Sequence, residues 1–205
     1  MKNTLIITLA LICYTISVNA QSGIAFGAKA GVNVSNVYDS QTEDFNAEAK
    51  VGFAGGAFLS IPLGKFLGVQ PEILFSQKGF RAKGRIIATD YELTRTSNYV
   101  DVPLLLTLRP IPVLTIVAGP QYSYLISQKS VFKSAGATVA QTDEFENDDL
   151  RKNTLCFTGG LDITIQHVVL GLRGGWDLRN NSVNESSTTP RYKNTWLQAT
   201  LGFRF

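Results

Sequence analysis

The chain has 205 residues, with 19 basic and 16 acidic side chains and a formal net charge of +3. That balance is too weak to point to nucleic acid. One histidine, His167, and two cysteines, Cys13 and Cys156, leave no stock for a histidine or cysteine metal cluster, and none for a disulfide once Cys13 is lost.

Residues 1–20 read as a secretory signal peptide. Lys2 gives the positive start, residues 5–16 the apolar run, and Val18-Asn19-Ala20 the cleavage site ahead of Gln21. The run is shorter than the roughly 20 residues of a membrane helix. Ala10-Leu11-Ile12 lacks the small residues of a lipidation site, so Cys13 should leave with the signal. Residues 21–205 are then expected to form one domain. No stretch in them is long and apolar enough for a transmembrane helix, so a membrane-spanning chain would have to be a closed barrel.

Eight alternating segments follow. Residues 24–34 set Ile24, Phe26, Ala28, Ala30, Val32 and Val34 against Lys29 and Asn33. Residues 50–61 and 67–78 continue the pattern, the latter with Val69, Ile73 and Phe75 against Gln70, Glu72, Ser76 and Lys78. Residues 97–108 place Val100, Val102, Leu104, Leu106 and Leu108 against Tyr99, Asp101 and Thr107. Residues 113–126, 154–165 and 168–179 repeat it, with Asp162, Arg173, Asp177 and Arg179 on polar faces. The last strand, within residues 194–205, carries Leu197, Ala199, Leu201, Phe203 and Phe205 against Gln198, Thr200, Gly202 and Arg204. A period of two with one apolar face is a half-buried strand. Segments of this length cross a bilayer when tilted. The expected fold is all-β, an eight-stranded antiparallel up-and-down transmembrane barrel.

The connections alternate in length. Residues 35–49, 79–96, 127–153 and 180–193 are long and polar; residues 62–66, 109–112 and 166–167 are short. Long loops on one rim and short turns on the other is the outer-membrane arrangement. Pro71, Pro103 and Pro120 fall inside strands and are expected to mark bulges or strand ends.

Several segments resemble a known family. They are Gln70-Pro71-Glu72-Ile73-Leu74-Phe75-Ser76-Gln77-Lys78-Gly79, Tyr99-Val100-Asp101-Val102-Pro103-Leu104-Leu105-Leu106, Gly119-Pro120-Gln121-Tyr122-Ser123-Tyr124-Leu125 and the terminal Leu201-Gly202-Phe203-Arg204-Phe205. Together they resemble the PorT-like porin family, outer membrane protein beta-barrel domain, over essentially the whole mature chain. The resemblance implies a cell outer-membrane location, no catalytic residues and no cofactor. In one branch of the family it implies a role accessory to protein secretion.

An eight-stranded barrel is just wide enough inside for side chains. Lys29, Glu72, Asp101, Asp162, Arg173, Asp177 and Arg204 are therefore expected to meet as an interior charge network rather than to line an open pore. Leu201, Phe203 and Phe205 form a terminal strand of the kind the barrel-assembly machinery recognises during insertion. Tyr99, Tyr122, Tyr124, Trp176, Tyr192 and Trp196 are candidates for aromatic girdles in contact with outer-membrane lipid. The acidic run Asp143, Glu144, Glu146, Asp148 and Asp149 reads as a solvated loop, lacking the spacing of a calcium site. Asn33-Val34-Ser35 and Asn184-Glu185-Ser186 match a glycosylation pattern by chance.

Two other function classes compete. A soluble, secreted lipocalin-like barrel binding a small apolar ligand would reverse the two faces. An outer-membrane enzyme would need a converging titratable cluster, and Asp177, Arg179 and Asp101 are the best residues available for one.

Overall fold

The computed structural model describes residues 23–38, 46–86, 89–134, 137–143, 152–180 and 192–205. The signal segment, the side chains of the acidic run from Asp143 to Asp149, and Asn184 lie outside the described residues.

The described residues form nine strands: β1 (Ala25–Tyr38), β2 (Asn46–Pro62), β3 (Leu67–Ile86), β4 (Thr89–Ile111), β5 (Leu114–Ser134), β6 (Ala137–Asp143), β7 (Asn153–Ile165), β8 (Val168–Asp177) and β9 (Lys193–Arg204). All pairings are antiparallel, and each of the eight long strands pairs with its neighbours in the chain except across the seam. β9 pairs back onto β1 from Gly27↔Arg204 to Tyr38↔Lys193, which closes an eight-stranded up-and-down barrel. Closure removes every edge within the membrane and so satisfies the backbone without water.

β6 is the ninth strand and takes no part in closure. It folds back on the far end of β5, Ser134↔Ala137 to Gln128↔Asp143. The expected loops at residues 79–96 and 127–153 are therefore largely strand. β3 and β4 continue as a hairpin to Ile86↔Thr89, beyond the barrel wall. Polarity made these stretches read as loops, but ladder hydrogen bonds need no apolar side chains. The short connections stay short. Gln166-His167 makes a two-residue turn, with Gln166 in the left-handed region at φ 55°.

The prolines do not mark bulges or strand ends. Register runs unbroken past Pro71, from Pro71↔Leu104 to Leu74↔Asp101, and past Pro103, from Pro103↔Gln121 to Leu106↔Ala118. Pro120 itself pairs with Phe157. The register shifts fall elsewhere, between Ala49 and Ala54, Asn98 and Tyr99, and Leu108 and Ile111.

The faces sort as a membrane barrel requires. Val32, Val51, Phe53, Ile73, Leu104, Leu106, Leu170, Leu197 and Leu201 are exposed, whereas Lys29, Glu72, Lys78, Asp101, Asp162, Arg173 and Asp177 are buried. A soluble barrel would bury the first set and expose the second, so the fold does not favour the lipocalin-like alternative. Glycine sets the tightness of the wall. A Cβ on Gly31 would stand 1.9 Å from the Ala199 carbonyl oxygen, and one on Gly160 2.0 Å from that of Leu172. Side-chainless inward positions let neighbouring strands coil this closely.

Candidate functional site

The charged side chains inside the barrel form two layers. In the lower layer, nearer the short turns, Lys29 Nζ of β1 donates to Glu72 Oε2 of β3 at 2.6 Å, and Gln70 Nε2 donates to Glu72 Oε1 at 2.8 Å. Arg173 of β8 grips Asp162 of β7 with two parallel bonds of 2.7 Å each. Arg173 Nη2 also lies 3.7 Å from Glu72 Oε1. β3 and β8 stand four strands apart in either direction around the eight-strand ring, so that contact crosses the full lumen. Two cations and two carboxylates make the layer neutral. At an effective dielectric near 20 each close pair attracts by about 4 kcal/mol before desolvation.

The upper layer is centred on Lys78 of β3. Its ammonium lies 3.1 Å from Asp101 Oδ2 of β4 and donates to Ser123 Oγ of β5 at 3.4 Å. It also sits over two aromatic faces, 3.8 Å from the Trp196 ring centroid and 4.9 Å from that of Tyr99. Ser76 donates to Asp101. Asp177 of β8 accepts from Cys156 Sγ at 3.1 Å, from the Asn194 backbone N–H at 3.0 Å and from the Asn194 side-chain amide. Inward residues of β3, β4, β5, β7, β8 and β9 thus contribute to this layer. Above it Phe80, Ala82 and Tyr192 pack with Val37, Ala47 and Leu93.

Six of the seven residues expected in the interior network are buried there: Lys29, Glu72, Asp162 and Arg173 below, Asp101 and Asp177 above. Arg204 is not. It is half-buried at the rim of short turns, its backbone bonded both ways to His167. It makes no ion pair among the described residues. Burial, and after it the Arg204 charge, hold the nearby Arg109 guanidinium below its ordinary pKa. The alternation correctly gives Arg204 an inward parity, but the residue lies past the end of the lumen.

Lys78, on the polar face of β3, is the partner of Asp101 and belongs to the network beside those residues. The signal was available, since Lys78 and Asp101 both sit on polar faces. Sequence marks Cys156 only as a lone thiol, and its contact with Asp177 depends on register alone. Of the enzyme candidates, Asp101 and Asp177 are buried in the upper layer while Arg179 is exposed. His167 stacks on Phe203 at the opposite rim.

Three expected girdle residues face the wrong way for that role. Tyr99 and Trp196 are buried in the lumen against Lys78, and Tyr192 in the cluster above it. Tyr122, Tyr124 and Trp176 do face outward near the long-loop end, with Tyr122 Oη donating to Asn153 at 2.6 Å. At the other rim Phe26 stacks on Phe205 and Phe203 meets Phe205 edge-on. Leu201, Phe203 and Phe205 all point outward.

The apolar belt has a visible upper end. Beyond the paired row Phe75–Val100–Tyr124 comes Gln77–Asn98–Ser127, whose side chains hydrogen-bond to one another along the row, Gln77 to Asn98 at 3.0 Å and Asn98 to Ser127 at 3.0 Å.

Comparison with known proteins agrees with this geometry. The family described as "Outer membrane protein beta-barrel domain" matches residues 19–183. No curated protein matches the sequence. Among solved structures, Neisserial surface protein A is 12% identical, with 88% of this chain and 97% of that one covered, at a TM-score of 0.50. Ail, the attachment invasion locus protein of Yersinia pestis, is 14% identical over 89% of this chain and 99% of its own, at 0.48. The outer membrane protein OprG from Pseudomonas aeruginosa is 12% identical over 88% and 95%, at 0.48. At 12% identity the likeness to Neisserial surface protein A speaks to the fold alone. A signature of lipid-facing strands, a closed wall and a family match over most of the chain leaves one assignment: this is a bacterial outer-membrane protein belonging to the outer membrane protein beta-barrel domain family.

Proposed function

We propose that the protein is a non-conducting, non-catalytic barrel whose lumen is plugged by its own ion pairs and whose role is structural or interactive. The observation that carries this reading is the Glu72–Arg173 contact across the full lumen, locked on one side by Lys29 and on the other by Asp162. A solute would have to break pairs that are almost fully buried, and breaking one leaves an uncompensated charge. The upper layer adds a second barrier around Lys78.

Planar-bilayer recording at moderate salt tests the reading. The parent protein stays silent, and Arg173→Ala, which removes the crossing side chain, leaks. Steady single-channel currents from the parent would contradict the plug.

The resemblance of the segment from Gln70 to Gly79 and its companions supports placing the chain on the PorT-like side of the family, with a role accessory to protein secretion. A secretion component that co-purifies from native membranes in fixed ratio would support that finer assignment. Insertion through the barrel-assembly machinery is read from Leu201, Phe203 and Phe205 on the outer face of β9.

A further inference from the structure

Above the Gln77–Asn98–Ser127 row, β3, β4 and β5 continue as a sheet standing clear of the apolar belt. Its outward face is basic. Lys129 pairs with Thr96, which pairs with Gly79; Arg81 pairs with Thr94, which pairs with Val131; Lys83 and Lys133 flank Glu92. Arg81 and Lys129 are exposed.

The nearby acids whose side chains are described do not neutralise these two. Glu48 stands across from Arg81, but both of its oxygens are taken by Lys83, at 2.9 and 3.0 Å. Glu92 accepts from Thr94 and lies between Lys83 and Lys133. Neither Arg81 nor Lys129 forms an ion pair with any residue whose side chain is described. Lys50 adds to the crowding: its Cδ would be 3.3 Å from a Cβ on Gly79, at the same height. Burial, and then the neighbouring Arg81 charge, hold its ammonium below the ordinary range.

Height selects the ligand. Lys129 lies two residues beyond the polar row and Arg81 four. At about 3.3 Å per residue and a tilt near 40°, they stand about 5 and 10 Å above the end of the belt. The headgroup layer is about 5–7 Å deep on each side of a bilayer, and long basic side chains reach down as well as up. Arg81 and Lys129 are roughly 12 Å apart at the backbone, two strands over and one row up, so both can close on one anion above Thr94 and Thr96.

We propose that Arg81 and Lys129 bind the phosphate groups of anionic glycolipid headgroups in the outer leaflet. The site anchors one side of the barrel to its surrounding lipid. It does not depend on the plugged lumen, and current recordings leave it untouched.

The test folds the full chain in nanodiscs of neutral lipid and titrates in a phosphorylated glycolipid. The double variant Arg81→Gln/Lys129→Gln should bind about tenfold more weakly or worse, since both basic side chains lose their attraction to the anionic headgroups. Enzymatic removal of the phosphates should bring the parent down to the variant's affinity. Lys83→Gln, which loses a side chain already paired with Glu48, should stay within about twofold of the parent. Unchanged heat-shifted gel mobility shows that the variants are folded. Equal binding by parent and double variant, or indifference to the phosphates, would overturn the proposal. So would an equal loss on Lys83→Gln, which means diffuse attraction, or full displacement by millimolar inorganic phosphate, which means a small-anion site.

Discussion

Arg173 ties two opposite walls of the lumen together. It holds Asp162 with both terminal nitrogens and approaches Glu72 on the far wall. Asp162→Ala would leave that buried guanidinium its bonds to the Leu161 and Leu172 carbonyls but only one charged partner, Glu72 at 3.7 Å, and should cost about 3–5 kcal/mol, as breaking a buried pair generally does. Replacing both partners by Asp162→Leu and Arg173→Met should cost far less, because neither charge is then stranded. Urea unfolding in lipid vesicles measures both, and equal losses would mean that the pair does not act as a unit. At this scale the sequence was legible in direction and less so in height. Alternation assigned Lys29, Glu72, Asp101 and Asp162 to the inside correctly. It assigned Tyr99 and Trp196 to the inside as well, each sharing a face with polar residues, yet their aromatic character suggested the lipid girdle. Parity outranks residue type there, since both rings are buried in the lumen. Arg204 shows the opposite lesson, because parity tells the side of the wall and not whether the lumen extends that far.

β9 is the element on which closure rests, since it joins both β8 and β1. Phe205, one residue past its end, adds a stacked ring against Phe26 and a backbone bond to the Phe26 carbonyl at 2.8 Å. Deleting Phe205 should therefore cost only about 1–2 kcal/mol of stability. If β9 is also the recognised insertion strand, the same deletion should slow delivery to the outer membrane several-fold in a pulse-labelling experiment. A normal rate would reduce Phe205 to an ordinary lipid-facing side chain. The eight wall strands were legible because each must be apolar on one side for the length of a bilayer. β6 and the upper halves of β3, β4 and β5 were not, because strand outside the membrane carries no such pattern. The bulges at Ala49, Asn98 and Leu108 were hidden for the same reason: one extra residue shifts a register without changing composition.

The whole molecule is lopsided. β3, β4 and β5 run 20, 23 and 21 residues, whereas β7, β8 and β9 run 13, 10 and 12. The long strands stand together on one side of the ring, so the described part of the barrel has a high wall and a low wall at its outer rim. The loops and the strand count announced a barrel; the wall heights appear only when the pairings are followed past the belt. The high side is also the basic side, which sets the orientation of the phosphate site toward lipid rather than toward the lumen.

The chain has two tryptophans, and the wall separates them. Trp176 is outward against the acyl region and Trp196 is inside beneath the Lys78 ammonium. Fluorescence therefore has one emitter in each medium without any label. Brominated acyl chains, which quench on contact, should darken Trp176 and spare Trp196. Trp176→Phe should abolish the lipid-dependent quenching, and Trp196→Phe should leave it intact. Equal quenching of the two would contradict the assignment of inside and outside on which every other expectation for this barrel depends.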